Sequence, residues 1–172
     1  MNKSLIEIME DISIRGRVAY ALCCLKMYLR NFDELDCELL FSKLETYTQI
    51  QYLDEWHMEV AEYIPSTIMA YEKFDEKEFD YVTLSQFEIL AASYKRISKE
   101  SREIIDSIFL IGTIELYGSV QKRGKSFEYL VNLIGVMVKR HLDLPNVDIF
   151  KKYKFENQQG WGDTFPFEDV AC

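Results

Sequence analysis

From Ser13 onward, Val18, Leu22, Leu25 and Leu29 return at intervals of four, three and four residues, and comparable spacing recurs along most of the chain. That period places one apolar stripe along each of several helices. A helix with such a stripe is stable in water only when the stripe is covered, and the simplest cover is another helix. With 172 residues, 48% of them apolar, the chain has enough material for a self-sufficient core. The expected architecture is a single all-α domain over residues 1–172, a compact bundle of six to eight helices. An irregular tail over 146–172 is expected to pack on it through Phe150, Tyr153, Phe155, Trp161, Phe165 and Phe167.

The individual elements follow from caps and breakers. The first long helix begins near Ser13, with Gly16 weakening its first turn. Residues 33–44 predict a second helix, with Asp33 as its cap and Glu34 and Asp36 at its positive end. Residues 46–52 alternate like a short strand isolated among helical periods. Over 54–64, about 100° per residue sets Leu53, Trp56, Val60 and Ile64 on one side and Glu55, Glu59 and Glu62 on the other. Pro65 interrupts or restarts the chain, and 72–80 reads as a charged link. Thr83 and Gln86 have the spacing of a capping box, Ser98 or Ser101 caps the next helix, and Gly118 closes it. Ser126 is expected to cap the last strong helix, in which Phe127, Leu130, Val131, Ile134 and Val138 share a face flanked by Leu133 and Met137. Its broad apolar arc suggests the central position. The predicted core includes Leu22, Leu25, Trp56, Val60, Ile108, Leu130 and Ile134.

Several kinds of chemistry are disfavoured by spacing. The apolar runs 107–114 and 129–138 are well short of the roughly 18 residues that cross a bilayer, so no membrane association is expected. The start of the chain carries Glu7, Glu10 and Asp11 and no secretory pattern, which predicts residence in the cytosol. Cys23, Cys24, Cys37 and Cys172 form no CxxC pair, and with His57 and His141 they make no zinc pattern. They are expected to be free thiols in a reducing compartment. The segment 118–126 ends in Gly-Lys-Ser like a phosphate-binding loop. It has five residues between its glycines where the pattern needs four, and a helix precedes it where the pattern needs a strand. A helix-to-helix turn with solvated basic residues is expected there, and neither a cofactor nor a catalytic residue is assigned.

Charge is the feature that points toward a partner. The total is −9, and residues 31–80 hold three basic against 14 acidic residues, a net of −11. Residues 91–154 hold 12 basic and seven acidic residues, a net of +5. Nucleic acid is disfavoured as a partner by the negative total. The acidic half is also rich in aromatics, among them Tyr47, Tyr52, Trp56, Tyr63 and Tyr81, a composition suited to an interface that meets a basic protein. Candidate partner-binding residues are Glu55, Glu59 and Glu62, extended by Asp54 and by Asp33, Glu34, Asp36 and Glu38.

The run from Arg15 to Leu25, the acidic helix around Trp56, Leu144-Pro145 and Gly160-Trp161-Gly162-Asp163 together resemble the small all-helical immunity proteins of bacterial polymorphic-toxin and contact-dependent growth-inhibition systems. The resemblance implies a protein without catalysis that binds a cognate toxin domain in the producing cell and occludes its active site or docking surface. A nuclease toxin, with a positive cleft for phosphates, would suit an acidic cap. A small helical enzyme and a regulatory scaffold that binds a host protein are the alternative expectations.

Overall fold

A computed structural model describes residues 4–32, 37–170 and 172. Among them are eight α-helices and four short 3₁₀ turns, the all-α bundle expected from the periodicity. The helices are α1 (Leu5–Glu10), α2 (Ile14–Phe32), α3 (Glu38–Glu45), α4 (Leu53–Val60), α5 (Pro65–Ile68), α6 (Leu84–Arg96), α7 (Lys99–Thr113) and α8 (Lys125–Lys139). No helix among the described residues is long and apolar enough to cross a membrane.

Expected caps are present at the starts of α2, α6 and α7. Ser13 Oγ accepts from the Gly16 amide at 3.3 Å at the start of α2. Thr83 Oγ1 accepts from the Gln86 amide at 3.4 Å while Gln86 Oε1 accepts from the Thr83 amide at 2.9 Å. Ser98 Oγ accepts from the Ser101 amide at 3.0 Å. The same logic explains α1, which the sequence reading passed over: Ser4 and Glu7 form a second capping box. Pro65 restarts the chain as the first residue of α5, where its missing N–H costs nothing.

Four elements differ from expectation. Residues 46–48 form a 3₁₀ turn, not a strand, because Tyr47 and Thr48 are both buried instead of pointing to opposite sides. The helix around Trp56 stops at Val60, so Glu62 lies in the following turn and not on the outer face of that helix. Ser126 does not cap α8; Gly124 holds the cap position and Ser126 is buried as the second residue of the helix. The central helix is α2, in which 14 of 19 residues are buried, whereas α8 turns Val138 to solvent (57% exposed) and buries Leu133 and Met137. The expected cap at Asp33 lies outside the described residues.

The three longest helices, α2, α7 and α8, pack against one another and carry all of the predicted core residues except Trp56 and Val60 on α4; all seven are buried. Close approach at the start of α2 depends on Gly16, where a Cβ would lie 2.5 Å from Ile12 Cγ2 and 3.0 Å from Tyr153 Cβ. The glycine loosens a helix turn but admits the tail. There the Ser13 amide donates to the Tyr153 carbonyl at 2.8 Å and the Phe155 amide to the Asp11 carbonyl at 2.9 Å. Phe150, Phe165 and Phe167 are buried in the same core as the helices, and Tyr153 stacks on Phe165 with ring centroids 3.7 Å apart. The tail therefore does pack on the helices as its aromatic content predicts.

Cysteine chemistry also departs from expectation. Cys23, in the middle of α2, is bonded to Cys172 as a disulfide with the Cα atoms 5.4 Å apart, while Cys24 and Cys37 are buried outside that bond. Spacing along the chain could not show this pair, since 149 residues separate its members.

Candidate functional site

Helix α4 is held to the body of the protein by Trp56. Its indole N–H donates to the Lys43 carbonyl at 3.0 Å, its ring stacks on Phe109 of α7 at 5.8 Å, and Tyr47 meets it edge-on at 4.8 Å. His57 stacks on the same Phe109 ring at 5.5 Å and meets Tyr117 edge-on at 6.1 Å. With Trp56 and Val60 inward, the helical count leaves Asp54, Glu55 and Met58 pointing away from the core. Met58 lies between the two acids on that face and is 57% exposed. Tyr52 before the helix and Tyr117 beyond His57 are exposed as well. Met58 is thus an exposed apolar side chain between two carboxylates on the outer face of α4.

The predicted acidic residues thus divide. Asp54, Glu55 and Glu38 are exposed to solvent. Glu59 is half-buried and paired with Lys43, which reaches back from α3. Glu62 is occupied by backbone: its carboxylate accepts from the amides of Asp80 at 2.9 Å, Tyr81 at 2.8 Å and Val82 at 3.0 Å. It organises the end of the 72–82 connection, so its place in a partner-facing row with Glu55 and Glu59 is corrected. Asp33, Glu34 and Asp36 lie outside the described residues. Met58 and Tyr117 were missed, although the angular count that assigns Trp56 to the core also places Met58 opposite it.

The basic segment 118–126 joins α7 to α8 as a helix-to-helix turn. Its cations are less free than expected: Lys122 contacts Asp11 at 2.8 Å and Glu156 at 3.2 Å, and Arg123 pairs with Glu10. Beneath them Arg17 is fully buried and donates to the carbonyls of Lys122 at 2.7 Å and Glu10 at 3.2 Å and to Ser126 Oγ at 3.1 Å. Desolvation presses its pKa down to about 10, against the favourable fields of Glu115 and Glu10. Ser126 in turn donates to Glu115 Oε2 at 3.2 Å. This cluster ties α2 to the start of α8 and gives Ser126 a bracing role in place of the cap role.

The start of α2 and the 160–163 segment meet in space. The Arg15 amide donates to the Trp161 carbonyl at 3.1 Å, and Arg15 Nε donates to the Gly162 carbonyl at 3.2 Å. Compared with known protein families, curated proteins and solved structures, the chain finds no match.

Proposed function

We propose that this chain is a non-catalytic immunity protein that binds a cognate toxin domain through the outer face of α4. The observation that supports this reading is the exposure of Met58 between Asp54 and Glu55 on the outer face of α4, with Tyr52 exposed just before the helix. Large apolar side chains at the middle of a patch supply the desolvated contacts that dominate protein affinity, and carboxylates at its rim steer a basic partner into register. The net charge of −9 adds a long-range attraction for such a partner. In this reading the toxin domain is basic, a nuclease being the type whose phosphate cleft fits best, and the protein acts in the cytosol of the producing cell.

The test is co-expression with the variable C-terminal domain of a large exported protein encoded next to this chain. Survival and co-purification are expected, together with their loss in Met58→Glu and in the double variant Asp54→Lys, Glu55→Lys, all with an unchanged melting curve. Failure of the unmodified chain to protect refutes the immunity reading. Protection that survives both variants moves the interface away from α4.

A further inference from the structure

A cavity of 760 Å³ opens between the start of α2, the 49–53 segment that leads into α4, and the tail loop that runs to residue 164. Its polar lining includes Arg15, Gln49, Gln51, Gln158 and Asp163, with Trp161 beside them. Arg15 is only 5% exposed. Two of its nitrogens are taken by backbone: Nε by the Gly162 carbonyl at 3.2 Å and Nη1 by the Tyr47 carbonyl at 2.5 Å. Among the described residues, Nη2 has no hydrogen-bond partner and the guanidinium has no ion pair.

Nη2 is open to solvent at the cavity, where an anion replaces water with a charge-assisted hydrogen bond. The two carbonyls hold the guanidinium fork in one orientation, so little ordering remains when an anion arrives. Around it the loop adopts a backbone that ordinary residues avoid. Gln158 and Gln159 have φ of 48° and 56°, and Gly162, at 83°, is so close to α2 that a Cβ would lie 2.2 Å from Ser13 Oγ. Asp163 is held by the side-chain amides of Asn157 at 2.5 Å and Gln158 at 3.3 Å, which fixes the rim of the cavity.

We infer that this cavity binds a small carboxylate whose other groups are hydroxyls or amides. A carboxylate accepts from the open Nη2 of Arg15, and glutamine amides both donate and accept, as hydroxyl and amide groups require. The indole of Trp161 offers an apolar face for the ligand's carbon skeleton. Among the described lining residues Arg15 is the cation and Asp163 the anion, and the Asp163 carboxylate repels a dianion such as phosphate more than a monoanion. The inference does not rest on the toxin reading, although the 49–53 segment that lines the cavity leads into α4.

The test is a titration of the full-length, isotope-labelled protein, following the indole N–H signals of its two tryptophans. The probes are glucuronate and N-acetylglycine, with glucose and N-acetylglycinamide as their uncharged counterparts and inorganic phosphate as a competing anion. A saturable shift is expected for Trp161 with at least one carboxylate and not with its uncharged counterpart, while the buried Trp56 signal stays in place. Gln51→Glu puts a like charge into the cavity from an exposed position and is expected to weaken carboxylate binding by about tenfold or more without altering the fold. The inference is overturned if neither carboxylate gives a saturable shift or if the uncharged counterparts bind as well. It is also overturned if phosphate binds more tightly than both carboxylates or if Gln51→Glu leaves binding unchanged.

Discussion

Replacing Glu62 by Ala removes three hydrogen bonds at once, and the surroundings of each donor set what it is worth. The amides of Asp80 and Tyr81 belong to exposed residues, so water takes the place of the carboxylate there and little is lost. The Val82 amide is different, because Val82 is 3% exposed and packs in the core. Leaving that donor unpaired costs about 1–3 kcal/mol, and loosening the end of the 72–82 connection adds to it, for a total of about 2–3 kcal/mol. Phe79 and Val82 carry that loosening into the core, where Phe79 meets Phe74 at 5.6 Å and Phe87 at 5.5 Å. Glu62→Gln keeps one carbonyl oxygen as acceptor and should lose about half as much. Glu55→Ala, on the exposed face of α4, should leave the transition in place. Urea unfolding of the three single variants is the assay, read as midpoint at constant slope. Equal midpoints for Glu62→Ala and Glu55→Ala would refute the assignment of Glu62 to the backbone. They would return it to the partner-facing surface.

Ile134→Asp, which buries a carboxylate at a 5% exposed position on α8, should cost about 3–5 kcal/mol and abolish the cooperative melt. An unchanged melting temperature would place that helix face outward. Alkaline pH should unfold the protein: burial raises the phenol pKa values of Tyr47, Tyr94 and Tyr20 above the ordinary 10.0. Their contribution is therefore whole below pH 10 and lost as pH rises through and beyond it. Arg17, lowered to about 10 by desolvation, works in the opposite sense between there and 12.5, as does Arg15, which burial also lowers. Tyrosinate absorbance should rise together with the loss of helical circular dichroism; a rise of all tyrosinate signal in the still-folded protein contradicts the burial. Denatured, unreduced protein prepared under oxidising conditions should take up an alkylating reagent at Cys24 and Cys37 only, and at four cysteines after reduction. Cys172→Ser should then cost the oxidised protein about 2–5 kcal/mol. Four reactive thiols before reduction would show that the Cys23–Cys172 bond does not form.

The helical class, three helix starts and the heart of the core were legible in the residues themselves. A cap such as Thr83 with Gln86 spans three positions, and a stripe such as Val18, Leu22 and Leu25 needs only the helical repeat to declare itself. The same short range explains why Asp54 and Glu55 were placed on an exposed face while Glu62, seven residues further on, was not placed correctly. The helix ends at Val60, and the groups that occupy Glu62 come from 18 to 20 residues away. Periodicity also identifies a stripe without naming what covers it, which is why α8 looked central until α2 was seen with 14 buried residues. Arg15 reaches Gly162 across 147 positions and Cys23 reaches Cys172 across 149, with intervening spacing that carries no trace of either contact. Local structure depends on neighbours within a helical turn and is written in the order of residues. Which buried charge faces a cavity, and which acid is free to meet a partner, depends on segments brought together only when the apolar stripes pack.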